Sequence, residues 1–236
     1  MSLRSFQVDQ MQVCVYDTND ELGAAAAEDL VGTLVEAIAE QGEASIIVAT
    51  GNSQLSFMKA LRTREEIDWS KVRVFHMDEY LGIAPDHPAS FRRYIREKLT
   101  DVVHARAFFG VEGDAPDVEE ELARYAALLR RYEPVACVLG IGENGHLAFN
   151  DPPADFDCPE PIQVVTLADT ARLQQVGEGH FASLEEVPEQ AITLTIPALL
   201  EPRMVLAVVP EARKAPAVQA ALEGPITPDC PASILR

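Results

Sequence analysis

A glycine-rich segment that ends in a histidine carries the strongest chemical signal in this sequence. Residues 140–152 read GIGENGHLAFNDP, with three glycines in the six residues before His146. Histidine exchanges a proton near neutral pH, and closely spaced glycines indicate a loop with unusual φ angles or close contacts. Asn144 and Asp151 are candidates to orient the imidazole. The glycines run G-x-G-x-x-G, but this is not a dinucleotide fingerprint, because no acidic residue follows at the required distance in a first βα unit.

Two adjacent carboxylates form a second candidate group. Residues 76–80 read HMDEY, which places Asp78 beside Glu79. Adjacent side chains at a strand end point in different directions, so one carboxylate could face a cleft while the other holds the loop. A carboxylate in a partly dry cleft can have a raised pKa and act as a general base. The alternative is a solvated acidic loop, which a chain this acidic could readily contain.

Two further segments are candidates to bind an anion. In residues 49–53 (ATGNS), Gly51 lets the backbone approach an anion, and Ser53 can cap the next helix while its hydroxyl faces a phosphate. The alternative is an ordinary tight turn. Arg213 and Lys214 lie near the start of another predicted helix, where a cation opposes the macrodipole. Such a placement is expected where an anion binds, and a solvated basic pair is the alternative.

The elements that must position these residues follow an alternating pattern. Short apolar runs at 11–16, 44–49, 72–76, 134–140 and 204–209 predict strands, and helical patterns separate them. We predict an α/β fold, with a doubly wound, mostly parallel sheet and helices on both faces (Rossmann-like), in a single domain covering residues 1–236. All but one of the candidate segments directly follow a predicted strand, and ligands bind at the carboxyl ends of such strands.

The helical patterns have recognisable boundaries. Thr18 and Glu21 fit a capping box that opens the first helix, and Gly42 suits its end. Further helices are predicted over 53–62 and 90–99, around 118–129, and from Pro210 through Leu222.

Composition restricts the partners. The formal net charge of −19 disfavours nucleic acid and anionic membranes. The sequence has no run of 18 apolar residues, and its first ten residues lack the apolar stretch of a secretory signal, so we expect a cytoplasmic protein. Cys14 and Cys137 lie in apolar runs and are predicted to be small, reduced core residues.

Several segments together resemble one known family. They are ATGNS (49–53), FHMDEYLGI (75–83), DHPASF (86–91), GIGENGHLAFNDPP (140–153) and RKAPAVQAALEGPI (213–226). They occur in the order typical of the glucosamine-6-phosphate deaminase/isomerase family, which is related to the 6-phosphogluconolactonases. The resemblance spans almost the whole chain, and the segment around His146 is long and specific.

The resemblance implies a reaction and a role for each matching residue. Asp78 would move the C2 proton of glucosamine-6-phosphate toward C1, and His146, with Asn144 and Asp151, would assist opening of the sugar ring. The products would be fructose-6-phosphate and ammonia, formed by a hydrolase/isomerase that needs no metal, nucleotide or organic cofactor. The substrate-binding residues would be Thr50, Gly51, Asn52, Ser53, Glu79, Gly145, Arg172, His180 and Lys214.

The sequence departs from the family pattern at two places. The well-studied deaminases have an aspartate where Asn144 stands and a glutamate where Asp151 stands; Glu143 could supply the missing charge. The family often has an arginine in its lid that clamps the phosphate, and the nearest equivalents here are His180 and Arg172. Histidine does not replace arginine conservatively at a bidentate site.

These departures keep other functions open. The alternatives are a 6-phosphogluconolactonase, a galactosamine-6-phosphate isomerase and a non-catalytic sugar-phosphate sensor. In each case the expected partner is a small-molecule sugar phosphate, with no nucleic acid and no membrane, and a homo-oligomer remains open.

Overall fold

A five-stranded parallel sheet forms the centre of the computed structural model, which describes residues 3–177, 179 and 181–236. Its strand order is β10-β7-β3-β4-β6, and a smaller antiparallel sheet has the order β5-β9-β8. This architecture confirms the predicted fold class. In the described part of the chain the strands are β1 (Arg4–Val8), β2 (Met11–Val15), β3 (Ala44–Val48), β4 (Val72–His76), β5 (Asp78–Tyr80), β6 (Ala107–Phe109), β7 (Ala136–Leu139), β8 (Ile162–Thr166), β9 (Gln190–Leu194) and β10 (Met204–Ala207).

Helices cover both faces of the parallel sheet. They are α1 (Asn19–Gln41), α2 (Leu55–Leu61), α3 (Phe91–Ile95), α4 (Asp101–Val103), α5 (Val118–Tyr132), α6 (Asp169–Gly177), α7 (Ile196–Leu200) and α8 (Ala215–Glu223). A π-helical turn, Arg96–Thr100, joins α3 to α4, and short 3₁₀ turns occupy Asn52–Gln54, Trp69–Lys71, Leu184–Glu186, Ala212–Lys214 and Pro231–Leu235. None of the helices in the described ranges has both the length and the apolar character needed to cross a bilayer.

The apolar sequence of the central strands follows from burial on both faces. On β3, Ile46 and Val48 pack into one core with α1 and α2, whereas Ile47 packs into a second core with α5, α7 and α8. Side chains alternate between the faces of a strand, so a strand covered on both sides is apolar at every position. The first helix begins at the predicted cap, where Thr18 Oγ1 accepts from Glu21 N at 3.2 Å.

Three predictions about local structure are wrong. The predicted first strand, β2, pairs antiparallel with β1 in a separate hairpin, so Cys14 is exposed and is not a core residue. The DEY segment is itself a strand, β5, because it pairs with β9. The last long helix, α8, was predicted to begin at Pro210 but begins at Ala215. A 3₁₀ turn precedes it, and the proline in its first turn is Pro216.

The chain reverses its direction across the sheet between β3 and β7. From β3 it proceeds to β4 and β6 on one side, and it then returns to β7 and β10 on the other. Val48 is level with His76 of β4 and with Val138 of β7, so the neighbouring strands end at nearly the same height. A crevice at the carboxyl ends of β3 and β7 is therefore expected, since the two connections diverge there.

A buried carboxylate ties β5 to the start of α3. Glu79 is fully buried, and its Oε1 accepts from the backbone N–H groups of Tyr80 at 3.1 Å and Phe91 at 3.0 Å. Its Oε2 accepts from Ser90 Oγ at 2.8 Å and Arg92 N at 2.9 Å. Burial raises the pKa of Glu79, and these hydrogen bonds oppose the rise. Both oxygens are needed as acceptors, which makes this carboxylate a structural part of the helix terminus.

We expect Glu79→Gln to destabilise the fold by about 2–4 kcal/mol, because whichever oxygen becomes an NH₂ group then faces two donors. The exposed change Glu65→Gln is the matched control and should shift stability by less than about 0.5 kcal/mol. Urea unfolding of both variants measures the difference. Equal midpoints for the two variants would contradict the structural role of Glu79.

Candidate active site

An open pocket of about 200 Å³ lies at the carboxyl ends of the parallel strands. Segments that follow β3, β4, β7 and β10 all contribute to its wall. The candidate residues that line it are Thr50, Gly51, Asn52, Ser53, Asp78, His146 and Lys214. Three of the segments singled out in the sequence thus meet the basic pair in one cavity, at the point where the strand order reverses.

The carboxylate of Asp78 lies at the inner end of this pocket. The side chain leaves β5 directly after β4, and the residue is only 6% exposed. Burial, with a smaller contribution from the charge of Glu79, raises the pKa of Asp78 to about 8. A carboxylate with such a pKa is a stronger base than a solvated one and still ionises near physiological pH.

His146 is oriented by two side chains of its own loop. Its Nδ1 lies 2.7 Å from Asn144 Oδ1 and 3.3 Å from Asp151 Oδ1, and Asn144 Nδ2 donates to the same Asp151 oxygen at 2.9 Å. Both neighbours of Nδ1 are acceptors, so Nδ1 carries the proton and Nε2 of the neutral ring is left as a base. Burial raises the pKa of Asp151, but the hydrogen bonds from His146 and Asn144 outweigh it and leave that pKa below its ordinary value.

The network explains the departure at position 144. Asn144 keeps an acceptor in the place of a carboxylate oxygen, and Asp151 supplies the negative charge. Glu143 does not compensate, because its Oε1 lies 2.9 Å from Arg213 Nη1 and it is outside the hydrogen bonds that orient the imidazole. The acidic partner of the His146 imidazole is therefore Asp151, seven positions after Asn144 in the sequence.

The glycines of this loop give the imidazole its space. Gly142 N donates to His146 O at 3.0 Å, and Gly145 N donates to Gly142 O at 3.1 Å, which closes a tight turn. A Cβ at Gly142 would overlap the His146 ring. Glycine at 142 is thus required for the position of the ring, and Gly145 has a φ of +86° that favours glycine.

The rest of the pocket is suited to an anion. The loop Thr50–Ser53 turns at Gly51, whose φ is +96°, and leads into the 3₁₀ turn at the start of α2. Tyr94 Oη donates to Gly51 O at 2.7 Å and holds this loop in place. Lys214 is 9% exposed and lines the same pocket. Helix-start amides and a buried ammonium provide positive potential inside a chain whose overall charge is strongly negative.

Three predicted substrate contacts do not lie in the pocket. Glu79 points into the α3 terminus, as described above, and Gly145 forms the turn and approaches Cys230. Arg172 donates to the carbonyl oxygens of Leu184 and Val187, both at 2.9 Å, and fixes the segment after α6. Each of these groups is engaged elsewhere in the fold, so the structure does not bring them together with the other candidate residues. His180 lies outside the described residues.

Several pocket residues were not predicted from the sequence. Met77, Phe149, Tyr94 and Gln175 line the cavity, and Phe149 is held where its N–H donates to Thr193 Oγ1 at 3.2 Å. Phe149 and Tyr94 lie in or beside segments singled out above, so their position was a usable signal. Gln175 lies between Arg172 and His180 in the segment compared with the lid of the family, but its residue type alone gave no reason to select it.

No metal is suggested by the arrangement of the donors. Within residues 3–177, 179 and 181–236, no group of three or more His, Cys, Asp or Glu side chains is arranged to hold a metal ion. The polar groups that line the pocket are two carboxylates, an imidazole, an ammonium, a guanidinium, hydroxyl groups and amides. Such a set is suited to binding an anion and moving protons.

An open α/β sheet with a proton-transfer pair and an anion niche at its switch point is typical of an enzyme that acts on a small phosphorylated substrate. Comparison with known proteins gives the family. The family described as glucosamine-6-phosphate isomerases/6-phosphogluconolactonase matches residues 17–236. The chain belongs to this family, which confirms the resemblance seen in the sequence.

Individual relatives agree with this assignment. A glucosamine-6-phosphate deaminase of Exiguobacterium sibiricum is 38% identical over 192 residues, covering 81% of this chain and 74% of that protein. A solved structure of a monomeric glucosamine-6-phosphate deaminase has a TM-score of 0.83 and 30% identity over 93% of this chain and 90% of its own. A 6-phosphogluconolactonase from Shewanella baltica has a TM-score of 0.76 and 25% identity, with the same coverage of 93% and 90%.

The position of Gly142 generates a prediction. Gly142→Ala should lower kcat/KM by about 100-fold. The new methyl group would occupy the space of the His146 ring and displace it, and a misplacement of about 1 Å can reduce catalysis by this factor. Gly32→Ala in α1, where a Cβ meets open space, is the matched control and should leave kcat/KM unchanged. Steady-state kinetics of both purified variants measures this. Full activity of Gly142→Ala would show that the ring position is not critical.

The pKa of Asp78 generates a second prediction, concerning stability. A carboxyl group whose pKa is raised in the folded state stabilises the fold when protonated, and this contribution is lost as pH rises through the folded pKa of about 8. Asp78→Asn removes the effect. The advantage of the variant over the natural protein should grow between pH 4 and pH 8, by up to about 1.4 kcal/mol per pH unit, and then level off. Thermal unfolding across pH tests this, and a constant difference would contradict it.

Proposed function

We propose that this protein converts glucosamine-6-phosphate to fructose-6-phosphate and ammonia. The observation that carries the proposal is the presence of a buried carboxylate, Asp78, and an oriented imidazole, His146, in one pocket that also contains a lysine and an anion-binding loop. The relatives that are named glucosamine-6-phosphate deaminases support the same substrate. The phosphate is assigned to Lys214 and the Thr50–Ser53 loop.

Ring opening is the first step and is assigned to His146. Its Nε2 takes the proton from the C1 hydroxyl while the C1–O5 bond breaks, and it returns a proton to O5. The open-chain aldehyde results with no net change in protonation of the imidazole. Asp151 stabilises the imidazolium that forms in between, because its carboxylate lies 3.3 Å from Nδ1.

Isomerisation follows at the carboxylate. Asp78 removes the proton from C2, which is acidic because it lies next to the C1 carbonyl, and an enolamine forms. The same group then delivers the proton to C1, and one proton of the amino group is transferred to O1. The C1 aldehyde is thereby reduced to an alcohol while C2 is oxidised to an imine. A carbon-bound proton needs a base of raised pKa, and burial provides one in Asp78.

Deamination completes the reaction. Water adds to the C2 imine, and the carbon–nitrogen bond breaks as ammonia leaves, which gives the C2 ketone of fructose-6-phosphate. One water is consumed and one ammonia is released, so the overall change combines an isomerisation with a deamination. Hydrolysis of a lactone requires no base for a carbon-bound proton, so the buried Asp78 favours the deaminase over the lactonase.

Asp78→Asn should lower kcat by at least 1,000-fold and change KM by less than about threefold, because the base acts in the transition state and contributes little to ground-state binding. In the natural protein, kcat/KM should rise with pH and reach a plateau above about pH 8, where the carboxylate is ionised. The exposed change Asp101→Asn is the control and should retain the activity and its pH profile. Ammonia release at a series of pH values measures all three proteins.

A substrate panel tests the proposed function directly. The panel contains glucosamine-6-phosphate, galactosamine-6-phosphate, 6-phosphogluconolactone and glucose-6-phosphate, with ammonia, ketose phosphate and acid release as readouts. We expect ammonia and fructose-6-phosphate in equal amounts from the first compound. Faster lactone hydrolysis would establish the lactonase, preference for the second compound would establish the other epimer, and binding without turnover would indicate a sensor.

A further inference from the structure

A buried glutamine lies directly behind the anion-binding loop. Gln54 follows Ser53, is 0% exposed, and its Nε2 lies 3.0 Å from Ser53 Oγ and 3.3 Å from Val208 O. A carbonyl oxygen can only accept, so the group that faces Val208 is the NH₂ end of the amide. One of its hydrogens is directed to Val208 and the other to Ser53. The hydroxyl oxygen of Ser53 is therefore an acceptor in this contact.

The path of this side chain depends on a glycine. Gln54 belongs to the segment after β3, and Val208 follows β10, so the amide spans the end of β7, which lies between those two strands. Gly140 stands at that end, and a Cβ there would lie 3.3 Å from Gln54 Nε2 and 3.4 Å from Ser53 Oγ. The absence of a side chain at position 140 leaves room for the amide to cross.

The two hydrogen bonds from Nε2 do not account for the other end of the Gln54 amide. Within the part of the chain that the structure describes, Gln54 Oε1 is buried and has no hydrogen-bond partner. An unsatisfied buried acceptor is unfavourable, and an apolar side chain of the same length would avoid it. A locally unfavourable choice of this kind, found at the wall of a binding pocket, indicates a role in binding.

We propose that Gln54 is a positioning residue that makes the Ser53 hydroxyl a hydrogen-bond donor to the substrate phosphate. Because Ser53 Oγ accepts from the amide, its own hydrogen is directed away from Gln54, and Ser53 lines the pocket. The amide thus fixes in advance the one orientation that serves an anion. This inference rests on the proposed function only in taking the anion to be the phosphate of the sugar substrate.

Gln54→Met preserves the length of the side chain and removes the donor. We expect it to raise the Kd for inorganic phosphate, measured by calorimetry, about tenfold. It should raise KM for glucosamine-6-phosphate by a similar factor with kcat within twofold of the natural protein. Its melting temperature should change little, since the unsatisfied acceptor is removed while the buried Val208 carbonyl loses a donor. Gln54→Glu replaces the donor by an acceptor toward which the Ser53 hydroxyl would turn, and it should weaken phosphate binding at least as much.

A double-mutant cycle shows whether Gln54 acts through Ser53. Ser53→Ala alone should weaken phosphate binding about tenfold, and Ser53→Ala combined with Gln54→Met should weaken it by the same factor, because the amide then has no hydroxyl to orient. Independent roles would give about a hundredfold loss in the double variant, and this result would overturn the proposal.

A matched control exists outside the pocket. Gln12 Nε2 donates to Ser5 Oγ at 2.6 Å in the N-terminal hairpin, so Gln12→Met removes a bond of the same type and should leave the Kd for phosphate unchanged. An unchanged Kd in Gln54→Met would also overturn the inference, as would failure of both Gln54 variants to fold, which would make the residue structural.

The experiment separates this inference from the proposed function. If the natural protein binds inorganic phosphate but releases no ammonia from glucosamine-6-phosphate, the proposed reaction fails while the cycle on phosphate binding still decides the role of Gln54. If ammonia is released and the cycle is additive, the reaction stands and the role of Gln54 is rejected. Absence of phosphate binding by the natural protein would reject the role of Gln54 at once.

Discussion

The site depends on one geometric constraint: neighbouring parallel strands end at the same height, so that their carboxyl ends form a single edge of the sheet. Val48 of β3 pairs with His76 of β4 and with Val138 of β7, so the loops that follow these strands begin at the same height. Parallel strands are buried on both faces, and their edge is therefore one of the few places where polar groups can gather around a cavity. The buried carboxylate of Asp78, the imidazole of His146 and the Thr50–Ser53 loop come from separate parts of the chain, and only this shared edge brings them together.

Two adjacent acidic residues at this edge of the sheet have different surroundings. Asp78 and Glu79 are adjacent in β5, and alternation along the strand directs one into the pocket and the other toward α3. Burial raises the pKa of both carboxyl groups, but four hydrogen bonds oppose the rise at Glu79, whereas the charge of Glu79 adds to it at Asp78. Two carboxylates thus have different parts, a candidate base at position 78 and a structural anchor at position 79, and their environments distinguish them.

The histidine loop shows a comparable division between shape and charge. Asn144 contributes an acceptor at 2.7 Å from His146 Nδ1, and Asp151 contributes the negative charge at 3.3 Å. An amide in place of a carboxylate preserves the direction of the imidazole, since orientation depends on the position of the acceptor. The charge that stabilises an imidazolium acts over a longer distance and can come from a second residue. The loop therefore contains both an acceptor that orients the imidazole and a negative charge close to it.

The sequence by itself determined the α/β class, four of the five central strands (all except β6), the helix cap at Thr18 and the segments that line the pocket. These features could be predicted because burial periodicity, capping and loop glycines are local properties. Whether β2 joins the sheet depends on pairing with β1, and the exposure of Cys14 follows from that pairing. The direction of Glu79, the engagement of Arg172 with Leu184 and Val187, and the reach of Gln54 to Val208 depend on partners far away in the chain. Only the tertiary structure decided these, because the partner of a side chain is set by where the backbone of another element ends.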